Sequence, residues 1–155
     1  MIAVLVKAKA WRDAEPNAVA LTRRAATATL AREGRSGASL NVLLADDAEL
    51  AALNGRFRGK PAPTNVLSFP AVSGESGDLG DIALALGVCA REAADQGKPL
   101  ADHLQHLTAH GVLHLLGYDH ESNAEAEAME AREREILAAL GVPDPYAETA
   151  HADHG

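Results

Sequence analysis

Between Ile2 and Ala8 the apolar residues Ile2, Val4 and Val6 share one side of the chain, the two-residue period of a strand. Pro16 then suits the first turn of a helix from about Asn17 to Glu33, where Val19, Thr22/Arg23, Ala26 and Leu30 recur at helical spacing before Gly34 and Gly37. Ala38 to Ala45 reads as a second strand, and Asp46 and Asp47 suit the start of a short helix through Leu53. Asn54 to Thr64 mixes Gly, Pro and basic residues and reads as a loop. Asn65 to Phe69 is extended between Pro63 and Pro70.

Ser73 to Gly80 is read as loop, Asp81 to Leu84 as strand, and Leu86 to Gln96 as a helix ended by Gly97 and Pro99. Asp102 and Gln105 form a candidate capping pair for a helix over about 103–116, which is largely apolar apart from a row of histidines. Ser122 and Glu125 form another, opening a helix to Leu140 with Met129, Ile136, Leu137 and Leu140 on its apolar side. Residues after Pro143 look irregular, and 147–155 are expected to be a flexible tail in which His151 and His154 are exposed. The expected fold is α/β with some α+β character: one mixed four-stranded sheet against about five helices, in a single domain over 1–155. Mixed strand direction follows because the connection around residues 70–80 is too short to hold a crossover helix.

Composition narrows this picture in three ways. With 155 residues, 47% of them hydrophobic, the chain can form one domain, burying about two thirds of its extended surface. No apolar run of about 18 residues is free of charge, and Met1 to Lys9 lack the layout of a secretion signal, so a cytoplasmic protein is expected. The lone Cys89 lies in an apolar run and reads as a small core residue. Net charge is −8 but lopsided: residues 1–75 hold ten Lys/Arg against seven Asp/Glu, and residues 76–155 hold four against fifteen. A phosphate-bearing partner would meet the first half.

The chemistry concentrates in His110-Gly111-Val112-Leu113-His114-Leu115-Leu116-Gly117-Tyr118-Asp119-His120. On a helix His110 and His114 sit one turn apart on one face. Gly117 can take the left-handed conformation that ends a helix, letting the chain return His120 toward the same point. Three neutral imidazoles leave one position of a tetrahedral zinc for water, the arrangement of a catalytic site. A helical His-Glu-x-x-His metallopeptidase carries its general base beside the first ligand, where this chain has Gly111, so a metzincin-like peptidase is the weaker reading.

His103, His106, His110 and His114 line one stripe, which leaves His106 with His110 as an alternative chelating pair. His106 is otherwise expected in a polar shell behind the ligands, and His103 near an exposed helix start. Asp119 suits either a turn cap or an acceptor that orients a ligand imidazole; Asp81 suits the same acceptor role or a bond within its own turn. Arg56, Arg58 and Lys60 alternate just before Thr64-Asn65-Val66-Leu67-Ser68-Phe69-Pro70, and an arginine there matches a phosphate. Phe57 suits either stacking on a base or anchoring the loop.

The histidine segment, taken with Leu53-Asn54, Phe57-Arg58, Thr64 to Pro70 and Gly80-Asp81-Ile82, resembles the bacterial YbeY family of endoribonucleases, the rRNA maturation factors, over about residues 38–146. The resemblance implies a single-domain α/β metalloprotein with one Zn(2+) per chain on His110, His114 and His120. It implies Arg58 and His110 as the residues of catalysis, and single-stranded RNA as substrate. It further implies maturation of the 3′ end of the 16S rRNA precursor and ribosome quality control, with the small ribosomal subunit or its proteins as partners and no role for membrane or DNA. In the family pattern Thr-Asp usually precedes Val-Leu-Ser-Phe, whereas this chain has Asn65, which puts in doubt any role of that position as a base. An assembly factor that binds RNA around a mainly structural metal is the remaining alternative.

Overall fold

In a computed structural model, described for residues 1–71, 77–119 and 121–146, the strands β1 (Ile2–Val6), β2 (Ser39–Ala45), β3 (Val66–Pro70) and β4 (Asp78–Ala85) form one sheet in the order β1-β2-β4-β3. β1 and β4 run parallel to β2, and β3 runs antiparallel to β4, so the sheet is mixed as the short connection requires. The helices are α1 (Ala10–Ala14), α2 (Ala18–Arg32), α3 (Asp47–Arg58), α4 (Leu86–Asp95), α5 (Leu100–Leu115) and α6 (Asn123–Ala139). The result is a single α/β domain. His120 and the expected tail over 147–155 lie outside the described residues.

Alternation along the strands divides the core. Leu40, Val42, Leu44, Ile82 and Leu84 face α2 and α5 in the main cluster, while Leu67, Ala83, Ala45 and Ala85 face the other way with Leu50 of α3. A third cluster joins α5 to α6 through Ala109, Leu113, Met129, Ile136 and Leu137. α5 is thus enclosed by the sheet and other helices, with most of its residues buried. Among the described residues no helix is long and apolar enough to cross a membrane.

Several boundaries differ from the pattern reading. α1 was not expected: it is too short to show a period, and it is pinned by Trp11, fully buried, whose indole Nε1–H donates to Ala45 O at 2.8 Å. α3 does not stop at Leu53 but runs to Arg58, so Arg56, Phe57 and Arg58 belong to a last helical turn and not to a loop. Gly59, at φ 70°, ends that helix in the left-handed region. α5 opens at Leu100 behind Pro99, and the Asp102–Gln105 capping pair does not form; the Gln105 amide instead donates to Ala101 O. The other two caps hold as expected, with Asp46 accepting from Glu49 N at 2.8 Å and Ser122 from Glu125 N at 3.1 Å. Cys89 is buried as expected, and burial pushes its thiol up to about 12, which keeps it protonated and inert.

Candidate active site

α5 presents His103, His106, His110 and His114 on one stripe, and each is used differently. His110 Nε2 and His114 Nε2 face one another at 3.1 Å. Two nitrogens on one tetrahedral zinc, at bond lengths of about 2.0–2.1 Å, stand about 3.3 Å apart, so this pair already has close to the separation of two ligands. His110 Nδ1 lies 2.9 Å from Glu133 Oε2, and His106 Nε2 lies 2.7 Å from Glu133 Oε1. The Tyr146 hydroxyl also donates to Glu133 Oε1.

Glu133 is fully buried, and burial alone would raise its pKa; the hydrogen bonds from His106 and His110 outweigh that and hold it down at about 2. An ionised carboxylate only accepts, so both ring nitrogens facing it carry hydrogen. Neutral His110 therefore has its proton on Nδ1 and a lone pair on Nε2, directed at His114. The nitrogens of His106 and His110 that face Glu133 are thus engaged by that carboxylate, while the pair of imidazole nitrogens facing one another is that of His110 and His114. Glu133 was not singled out in the sequence, although it stands four residues after Met129 and three before Ile136, squarely on the apolar stripe of α6. A carboxylate at a core position was the available signal.

His103 is buried, contrary to the exposed position expected of it, with Nε2 2.9 Å from Glu92. Glu92 also accepts from the amide of Asn65, at 3.1 Å to Oε1. An aspartate at position 65 would set two carboxylates face to face there. We expect Asn65→Asp to lower stability by about 1–2 kcal/mol at neutral pH. Such a pair has raised folded pKa values, so the loss is present above them and disappears as pH falls and the pair takes up a proton. Thermal denaturation of both proteins at pH 7.5 and pH 5 measures this, and an equal deficit at both would refute it.

At its C-terminal end α5 turns as expected at Gly117, φ 103°, with Tyr118 N–H closing the helix on Leu113 O. Asp119 is half-buried and lines the same cleft as His110 and His114. Asp81 is not beside the histidines: it lies on the opposite face of β4 and accepts from Asn41 of β2 at 2.9 Å. His120, the third proposed ligand, is among the residues not described. Among the described residues alone, no group of three or more His, Cys, Asp or Glu is gathered to hold a metal.

The cleft has a volume of about 710 Å³, and Arg58, Lys60 and Ser68 line it together with His110 and His114. Arg58 reaches it from the last turn of α3, laid across β3 with Nη2 donating to Ser68 O at 3.2 Å, while Ser68 Oγ donates to Gly111 O on α5. Arg56 points to a neighbouring cavity instead. Gly111 is buried against Ile82 of β4, where an added Cβ would meet side-chain atoms at 3.0–3.3 Å. The helix–sheet contact that places the histidines thus leaves a tight fit for any side chain at the position where a metallopeptidase carries its glutamate.

A model of the family described as Endoribonuclease YbeY matches residues 6–141. The chain belongs to the YbeY family. It is 52% identical to the endoribonuclease YbeY of Rhodopseudomonas palustris (strain BisB18), over 94% of this chain and 91% of that one. Against the endoribonuclease YbeY of Jannaschia sp. (strain CCS1), identity is 47% over 94% of this chain and 99% of the relative. The fold is also that of the solution structure of TM1509 from Thermotoga maritima, with a TM-score of 0.61 and 26% identity over 90% of this chain and 91% of that one. The histidine cleft and Arg58 both fall inside the YbeY match.

Proposed function

We propose that this YbeY endoribonuclease cuts single-stranded RNA using one zinc ion held by His110, His114 and His120, with Arg58 acting on the phosphate. We propose further that it works in the cytoplasm on the 3′ end of the 16S rRNA precursor and in ribosome quality control, with the small ribosomal subunit or its proteins as partners. The observation that supports the reading is the meeting, in one cleft, of two facing imidazole nitrogens and an arginine delivered from a different element. When bound, zinc would supply a Lewis acid and a water of lowered pKa.

The chain's own groups divide the remaining work. Arg58 is exposed at the mouth and can pair with a phosphate in a bidentate fork, offsetting the charge that builds on its nonbridging oxygens. Lys60 on the same wall adds a second cation that holds the RNA backbone. Glu133, touching no substrate, keeps His110 in one tautomer and orientation through Nδ1. Peptide hydrolysis lacks its base, since the position beside His110 is Gly111.

Metal content and cleavage of a labelled single-stranded RNA, measured before and after chelation, test the whole reading. Cleavage lost with zinc and restored by about one equivalent supports it; cleavage indifferent to zinc, or cutting of casein but not RNA, overturns it. Arg58→Ala should fold, keep its metal and lose about 10²–10³-fold in cleavage rate, with Arg58→Lys only partly restored because the fork geometry is gone. Full cleavage by Arg58→Ala would remove Arg58 from the reaction, whereas zinc-loaded wild type that binds RNA without cutting it would leave the protein an assembly factor with a structural metal. Products ending in 5′-phosphate and 3′-hydroxyl indicate attack by water, and a 2′,3′-cyclic phosphate indicates attack by the ribose hydroxyl.

A further inference from the structure

The sheet is covered unequally. α2 and α5 close one face, whereas on the other, among the described residues, α3 packs over Leu67, Ala83 and Ala45 while Leu43 and Phe69 stay only partly buried. Beside α3 this opens a cavity of about 960 Å³ whose walls include Leu43, Phe69 and Ala83 of the sheet and Arg56, Phe57 and Arg58 of the helix. Phe57 is 61% exposed, an uncommon state for a phenylalanine in a chain that has only two. Its ring stands 5.2 Å from that of Phe69, and the Arg56 guanidinium lies 5.9 Å from its centroid. Asp81, bonded to Asn41, lies on the wall of the same cavity.

Arg58, Ser68 and Pro70 line both this cavity and the histidine cleft, so the two are contiguous across one arginine. From this geometry we infer that the cavity is a nucleobase subsite: it takes the unpaired base of a nucleotide next to the phosphate held at Arg58 and stacks it on Phe57. The proposal rests on the endoribonuclease reading above. The chemistry favours a base over a second phosphate. Phe57 and Phe69 supply a π surface, Arg56 flanks it as a cation that also stacks on planar rings, and Asp81 repels phosphate while accepting from a base amino group. A base already paired in a duplex offers no open face to stack, so the subsite would by itself favour single strands.

The test is steady-state cleavage of a single-stranded RNA by wild type, Phe57→Leu and Phe57→Trp. The same RNA is also used with a single abasic nucleotide at each position flanking the cut. Phe57 is exposed, so its substitution leaves the core untouched. Loss of stacking predicts a KM for Phe57→Leu about tenfold higher or more, with kcat little changed and Phe57→Trp close to wild type. One abasic position should raise the wild-type KM similarly and add nothing in Phe57→Leu, since the two changes remove the same contact. Unchanged KM in Phe57→Leu, or additive effects, would overturn the subsite while RNA cutting persists, and would leave this face to a protein partner. Wild type that cuts no RNA would remove the endoribonuclease reading and the subsite with it.

Discussion

His114→Ala is expected to abolish both zinc retention and RNA cleavage in a protein that still folds. His114 is half-buried at the cleft, and the residues of α5 that pack the core, among them Leu104, Leu107, Val112 and Leu113, are left intact. Alanine is also a better helix former than histidine. What disappears is one of the two nitrogens that stand 3.1 Å apart. Losing a ligand itself should cost more than the about 10–100-fold in affinity that follows from losing an outer partner. Elemental analysis of the purified variant, beside a cleavage assay on labelled RNA, reads both consequences. A variant that retains zinc and cuts at the wild-type rate would dissociate the histidine pair from the chemistry.

Replacing Glu133 should weaken metal binding and the fold together. The carboxylate is the acceptor for His106, His110 and Tyr146 at once, and it is buried among them. In Glu133→Leu those donors lose their acceptor, at about 1–3 kcal/mol for each group left buried and unpaired. Glu133→Gln is the milder change: it keeps the shape but presents an N–H₂ to one of the two rings, so His110 no longer has a single favoured tautomer. Zinc affinity should fall about 10–100-fold in Glu133→Gln, read by competition with a chelator. The ¹⁵N shifts of the His110 ring in metal-free protein should show Nδ1–H in wild type and a mixture in the variant. An unchanged ring spectrum with lowered stability would reduce Glu133 to a packing residue.

The histidine row was legible because its spacing of three and four residues is the helix period itself, interrupting an otherwise apolar stretch. Strand direction was legible too, from the shortness of the connection between β3 and β4. The extent of α3 was not. Asn54 and Gly55 read as loop formers, yet Gly55 is helical because Pro61 folds back over it, 3.2 Å from where a Cβ would stand, and the Asn54 amide holds that return through Ala62 O. Such a contact arises between segments, and local propensity carries no trace of it. Glu133 is hidden among the charged Arg132, Arg134 and Glu135, and only its spacing from Met129 and Ile136 along the stripe of α6 sets the buried carboxylate apart from its exposed neighbours. His103 was misplaced because its partner Glu92 comes from α4.

Trp11 gives these variants a built-in reporter. It is the chain's one tryptophan, sealed at the junction of α1 with the end of β2, and it lines neither the histidine cleft nor the cavity beside Phe57. Its ultraviolet emission should therefore shift to longer wavelength when the domain melts and stay indifferent to added zinc or oligonucleotide. A single fluorescence trace can then separate a variant that is merely inactive from one that has come apart.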